Sequence, residues 1–256
     1  LTLSNSTFDS SVQEYISTAG SSPNEVDATN GNTFGGVATN SATLDQIFAI
    51  VDKITDGTDD SSNGLVRLVA GQVYATAAKD NIQNAVDVAS NGDAVNIQAG
   101  TYNQGVTINK NVSLVGESAA NRADITGGIL MTGSLSDITL KNLDVSGTVS
   151  GLNADFVIKD SGTLNNFTMD HVKVDGESVA GRLGVGNGQI SGAISITNSE
   201  FDNISGWVVF DNRAGAGSTP GVNDGTLLTS VNFSNNVIDN SQGSIAFRQL
   251  GNGGPY

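Results

Sequence analysis

The sequence predicts an all-β solenoid, and two observations carry that prediction. The first is internal repetition. Ile138-Thr-Leu140-Lys-Asn142-Leu143-Asp-Val145, Phe167-Thr-Met169-Asp-His171-Val172-Lys-Val174, Ile194-Ser-Ile196-Thr-Asn198-Ser-Glu-Phe201 and Val231-Asn-Phe233-Ser-Asn235-Asn-Val237-Ile238 can be laid on one another. Apolar residues alternate, a polar slot interrupts them, and the alternation resumes, which is strand periodicity; recurrence at roughly 25 to 35 residues marks stacked coils. The second is composition: Gly 32 with Pro 3, and only 14% charged residues, describe a turn-rich β chain covered by Asn, Ser and Thr. Apolar residues make up 38% of 256 positions, enough to bury a sizeable core in one elongated domain.

Taken in order, the elements begin with an echo. Leu1-Thr-Leu3-Ser-Asn5-Ser6-Thr-Phe8-Asp9 reads like Ile194-Ser-Ile196-Thr-Asn198-Ser199-Glu-Phe201-Asp202, and Tyr15-Ile16 through Pro23 resembles Val209-Phe210 through Pro220. Residues 1 to 23 are therefore expected to be the closing coil of a preceding solenoid unit. A chain that begins at Leu1 without Met is expected to be a processed product or a segment of something longer. Residues 24–41, rich in Gly, Asn and Thr, read as loop. Residues 42–55 place their apolar side chains at helical spacing, with Thr43 as N-cap and Gly57 as stop. Leu65-Val-Arg-Leu68-Val reads as a strand, and residues 81–89 as a second amphipathic helix. This divides the chain into an N-terminal segment, 1–71, and a main domain, 72–256.

From that second helix onward the residues carry a family likeness. Ile82-Gln83-Asn-Ala85-Val86-Asp-Val-Ala89, Gly92-Asp93-Ala-Val95-Asn-Ile97, Gly100-Thr101-Tyr102 and Val106-Thr-Ile108-Asn-Lys110-Asn111-Val112-Ser-Leu114-Val-Gly116 resemble the opening of pectin-lyase-like proteins. With the repeats that follow, the resemblance covers about residues 72 to 250. It implies a right-handed parallel β-helix whose apolar end is closed by an N-terminal α-helical cap, here 81–89. It implies little about activity, because the superfamily includes lyases, hydrolases, esterases, tailspikes, adhesins and noncatalytic surface proteins.

In such a stack like positions of successive coils lie above one another. Leu140, Met169, Ile196 and Phe233 should form one buried column, and Asn142, His171, Asn198 and Asn235 one turn ladder whose side chains satisfy backbone groups and bond one another. The single His thus occupies an asparagine slot. Met169-Asp170-His171 resembles the Ile-Asp-His motif of pectate lyases, but no Arg-x-Pro-x-x-Arg element accompanies it.

Candidate chemistry gathers on a second column. The segments ending Ile158, Val185, Phe210 and Phe247 look equivalent, so the residues after them, Lys159, Asp160, Asn187, Asp211, Asn212, Arg213, Arg248 and Gln249, are expected to form one stripe beside Trp207. Carboxylate, amide and guanidinium groups suit a glycan, and an indole stacks on a sugar face. If the chain is an enzyme, its catalytic residues are Asp160, Asp211 and Arg213. Two coil spacings would separate the aspartates by about 9 to 10 Å, an inverting distance. The Asp-Phe-x-Phe-Gly and Leu-Gly-Arg-Pro-Trp motifs of pectin methylesterases are absent. Asp56, Thr58, Asp59 and Asp60 sit in a loop rich in hard oxygen donors and are the candidate Ca²⁺ ligands, although Ser61 and Arg67 break the EF-hand pattern.

Charge and cysteine usage narrow the partners. Lys+Arg 11 against Asp+Glu 26 gives a net charge of −15, which repels nucleic acid and anionic membranes. Cys 0 removes disulfides, thiol catalysis and zinc–thiolate sites. No apolar run is long enough to span a bilayer. The expectation is an extracellular, noncatalytic building block of a bacterial cell-surface protein, surface layer or adhesin, with neighbouring copies or adjoining β-helix units as partners and polysaccharide as a candidate ligand. A polysaccharide lyase or glycoside hydrolase, and a phage tail fibre or tailspike segment, are the alternatives.

Overall fold

The computed structural model describes residues 1–20, 24–79, 81–149, 155–160, 162–176, 181–185, 189–204, 208–211, 228–241 and 245–248; at 155–156, 159–160, 181–185, 189–190, 208–211, 228 and 245–248 it describes the backbone alone. The protein is mostly β, and three long sheets of parallel strands organise it.

The first sheet has seven strands, in the order Gln72–Ala75, Ala94–Ile97, Ser113–Gly116, Ser134–Lys141, Thr163–Asp170, Gln189–Thr197 and Leu228–Ser234. The second runs Gly100–Tyr102, Ala123–Ile125, Leu143–Val145, Lys173–Asp175, Glu200–Asp202 and Val237–Asp239. The third runs Val106–Ile108, Ile129–Met131, Asp155–Asp160, Gly181–Val185, Val208–Asp211 and Ile245–Arg248. From Ala94 onward the chain visits the three sheets in turn, so each strand hydrogen-bonds not to its sequence neighbours but to the strand one circuit away.

Period-two patterning turns one face of each strand inward. In the first sheet Val95, Leu114, Leu140, Met169, Ile196 and Phe233 pair in unbroken register, forming the column expected for the last four. Leu140, Met169 and Ile196 are fully buried, and Phe233 packs against the same core. In the second sheet Ile125, Val145, Val174, Phe201 and Ile238 form a parallel column. Each residue added to such a column buries roughly 1.5–3 kcal/mol of apolar side chain.

The turn between the first and second sheets explains the polar slot. Asn142 (φ 54°), His171 (φ 55°), Asn198 (φ 52°) and Asn235 (φ 57°) are all left-handed, a conformation that Asn, Asp and His enter more readily than other non-glycine residues. Their backbone N–H groups donate across circuits, from Asn142 to Asp170 O (3.1 Å), His171 to Thr197 O (3.2 Å) and Asn198 to Ser234 O (3.2 Å). The expected amide-to-amide ladder is only partial: Asn235 Nδ2 reaches Asn198 Oδ1 (3.4 Å), whereas Asn142 donates to Gly116 O and Asn198 to Asp170.

Helix α1 spans Leu44–Val51 and begins with the expected Thr43 cap, completed as a reciprocal capping box by Gln46. It stops at Val51, well short of Gly57, because Ile54–Thr55 leaves the helix to pair in parallel with Ile16–Ser17. Helix α2 spans Ile82–Val88, capped by Asn81, and buries Ile82, Ala85 and Val86. Its Gln83 side chain accepts from Thr107 N (2.7 Å) and donates to Thr107 O (3.2 Å), occupying backbone groups of an edge strand. Lys110 Nζ donates to the terminal carbonyls of Asp87 and Ala89.

Residues 24–41 are not the loop their composition predicts. Val26–Asn30 lies between Thr2–Ser4 and Val66–Arg67 in a parallel sheet, with Val26 and Ala28 buried. Thr33–Phe34 pairs with Thr7–Phe8 and turns back through Gly35 and Gly36, both at positive φ, onto Val37–Ala38. Phe8 stacks on Phe34 at 4.7 Å, and a second core forms around Phe34, Phe48, Ile47, Ile54 and Leu68.

Candidate functional site

The 56–64 loop is held by its own carboxylates. Asp56 is buried (3% exposed); Oδ1 accepts from Thr58 N (2.8 Å) and Oγ1 (2.7 Å), and Oδ2 from Val66 N (2.7 Å). Burial pushes the Asp56 carboxyl upward, against the pull of those three bonds. Asp59 Oδ2 accepts from Asp56 N (2.9 Å) and lies 3.4 Å from Lys79 Nζ, and Asp60 Oδ1 accepts from Ser62 N (3.0 Å). Asp56 and Asp60 thus form Asx turns, Thr58 donates to the first of them and Asp59 bonds back to Asp56 N; among the described residues no group of three or more His, Cys, Asp or Glu side chains is arranged to hold a metal ion.

The proposed glycan stripe falls largely outside the described residues: Asn187, Trp207, Asn212, Arg213 and Gln249 lie there. Lys159, Asp160, Asp211 and Arg248 belong to strands of the third sheet, and their backbone register is informative. Lys159 pairs with Gly184 and Gly184 with Val209. The segments ending Ile158 and Val185 are therefore offset in register rather than equivalent. The pairing of Asp155–Asp160 with Gly181–Val185 carries a register shift between Phe156 and Lys159. Asp211 is the register partner of Arg248.

Asp170 and His171 form the most developed polar cluster of the main sheets. Asp170 Oδ1 accepts from Asn198 Nδ2 (2.9 Å) and Thr197 Oγ1 (3.1 Å) and lies 2.8 Å from His171 Nδ1; Oδ2 is 3.3 Å from Lys141 Nζ. Partial burial raises the carboxyl pKa, but the bonds from Asn198, His171, Thr197 and Lys141 outweigh it and hold Asp170 down at about 2. A carboxylate so acidic stays ionised at neutral pH, unsuited to general-acid work. The hydroxyl in the cluster, Thr197, gives its proton to Asp170 rather than to the imidazole, so no nucleophile–base–orienter relay forms.

Two features were invisible in the sequence reading. Arg67 is 9% exposed, and its guanidinium bridges Glu25 (2.9 and 3.0 Å) and Asp93 (2.9 Å), while Asp93 also accepts from Ser90 N (2.8 Å). It joins the strand Val66–Arg67 of the N-terminal sheets to the turn that leads into Ala94–Ile97, the second strand of the first long sheet. Its three members are separated by 42 and 26 residues, and no local pattern signals the pairing. The second is an open apolar cavity of about 470 Å³ at the N-terminal end, lined by Leu1, Leu3, Phe8, Tyr15, Ile16 and Val26.

The chain matches no known family model and no curated protein. No helix among the described residues is long and apolar enough to cross a membrane.

Proposed function

We propose that this chain is a right-handed parallel β-helix of the pectin-lyase-like kind, its apolar end covered by α2, and that it serves as a noncatalytic extracellular scaffold unit of a bacterial surface layer or adhesin. The observation that carries this reading is that the polar side chains with chemical promise hold the fold. Asp56 organises a turn, Asp170 binds the next circuit through Asn198 and Thr197, and His171 fills a left-handed slot. A stack of parallel circuits resists bending, which suits a rigid spacer. Weak engagement of glycans through Lys159, Trp207 and Arg248 is compatible with this role.

The alternative of a polysaccharide-active enzyme using Asp160, Asp211 and Arg213 keeps one point in its favour, the neighbouring positions of Asp211 and Arg248. A lateral trimer of the tailspike kind is disfavoured, because the exposed large apolar residues, among those described, are Leu1, Val231, Val237 and Ile238, none on an intermediate circuit. The deciding experiment incubates the protein with acidic polysaccharides and measures unsaturated or reducing ends, with Asp211→Ala as control. No product is expected; product that disappears in the variant would overturn the scaffold reading.

A further inference from the structure

Among the described residues the dipeptide Asn-Gly occurs at 30–31, 63–64 and 91–92, and the fold treats the three differently. Asn-Gly is open to self-modification, because glycine sets no Cβ beside its nitrogen and that nitrogen can turn onto the preceding side-chain amide. Ring closure needs an amide carbon and a glycine nitrogen that are both free to move.

Asn91–Gly92 is exposed but clamped. Asn91 Oδ1 accepts from Asn111 N (2.9 Å) while Gly92 N donates to Asn111 O (2.6 Å), so both reacting groups are tied to the next circuit. Asn63–Gly64 is buried: Asn63 is 8% exposed, its Oδ1 accepts from Gly20 N (3.2 Å), and the Gly64 backbone is pressed against that of Asn24. Asn30–Gly31 differs from both. The pair is exposed at the end of the strand Val26–Asn30, with Gly31 at φ 64°. Neither the Asn30 side chain nor Gly31 N has a hydrogen-bond partner among the described residues; the turn is held instead by Asn5 N, which donates to Asn30 O (2.9 Å).

We propose that Asn30–Gly31 is a deamidation site whose product loosens the N-terminal sheets. Hydroxide takes the Gly31 amide proton and the nitrogen attacks Asn30 Cγ. The new N–Cγ bond closes a succinimide ring as the Cγ–Nδ2 bond breaks, and the departing nitrogen takes a proton from water and leaves as ammonia. Water then opens the ring at either carbonyl, giving aspartate or isoaspartate. Isoaspartate carries the chain through its side-chain carbon and so lengthens the backbone by one methylene, two residues before Asn32. Asn32 is fully buried; its Oδ1 accepts from Ser6 N (3.0 Å) and its Nδ2 donates to Leu3 O (2.9 Å) and Ala28 O (2.8 Å). Displacing it withdraws the polar plug that ties Thr2–Ser4 to Val26–Asn30 and leaves buried backbone groups unpaired.

The test ages the intact chain at mildly alkaline pH and follows each Asn-Gly peptide by mass spectrometry, reading the gain of one mass unit and the isoaspartate fraction. Asn30 should convert roughly tenfold or more faster than Asn91 or Asn63, the factor expected where hydrogen bonds must open or the pair must leave the interior first. In guanidinium strong enough to unfold the chain the three rates should converge. Aged protein should melt below fresh protein and below Asn30→Asp, which carries the charge without the added methylene, and Asn30→Gln should remove that loss. Asn91 or Asn63 converting as fast as Asn30 in the folded chain would overturn the proposal. So would an order of rates that survives in guanidinium, an aged protein as stable as Asn30→Asp, or a loss of stability that persists in Asn30→Gln.

Discussion

Replacing Arg67 by alanine tests how the N-terminal sheets are fastened to the long ones. The side chains of Arg67 and Asp93 are 10% and 8% exposed, whereas Glu25 is 42% exposed. Removing one partner of a buried ion pair costs about 3–5 kcal/mol, because the remaining charge stays out of water unpaired. Asp93 keeps its bond from Ser90 N, which points to the lower end, about 3 kcal/mol. The Glu25 contact, bidentate but half in solvent, contributes about 0.5–1 kcal/mol. Arg67→Ala should therefore lower the melting temperature by roughly 6–12 °C and Glu25→Gln by about 1–4 °C, using the slope usual for chains of this size. Melting followed by circular dichroism in parallel with tyrosine fluorescence should also lose coincidence in Arg67→Ala. Leu65 packs in the main core and Val66 in the N-terminal one, so the latch lies where the two meet. Equal shifts for Arg67→Ala and Glu25→Gln, or a shift below about 2 °C for Arg67→Ala, would refute this division of the energy.

Two further outcomes follow from the turn between the first and second sheets. His171→Asn should leave urea stability within about 0.5 kcal/mol of the parent, while His171→Val should cost about 1–2 kcal/mol, because a β-branched residue is strained at φ 55°; equal losses would show that the imidazole, not the slot, matters. Asp170, depressed to about 2 in the folded protein, contributes stability that is present above the unfolded carboxylate pKa and lost as pH falls through about 2. Asp170→Asn should abolish that acid-limb dependence, about 1 kcal/mol after allowance for solvent screening, and leave the pH 7 to 9 limb unchanged; an acid limb identical in the two proteins would exclude Asp170 as its source.

Local pattern was legible wherever one residue's environment repeats. The alternation around Leu140, Met169, Ile196 and Phe233 marked strands, and their observed column follows from stacking like segments in register. Thr43 announced a helix start, because a cap is a bond between residues three or fewer apart, whereas Asn81, expected inside the second helix, turns out to be its cap. The loop assigned to 24–41 failed for the complementary reason: Gly and Asn density obscured the short alternation of Val26 and Ala28, whose burial depends on strands from residues 2–4 and 66–67. The bond that orients Asp56 was illegible for the same reason, since its donor, Val66 N, lies ten residues away.

Residue order alone set the periodicity, an all-β chain of repeated strands interrupted by a polar slot, whereas the left-handed φ of that slot is a property of the folded turn. Only the folded chain settled which repeats are neighbours, that the pairing of Asp155–Asp160 with Gly181–Val185 shifts register, and that Arg67 finds Asp93 and Glu25. Periodicity is a property of adjacent residues, whereas register and ion pairing depend on how many residues each intervening turn consumes.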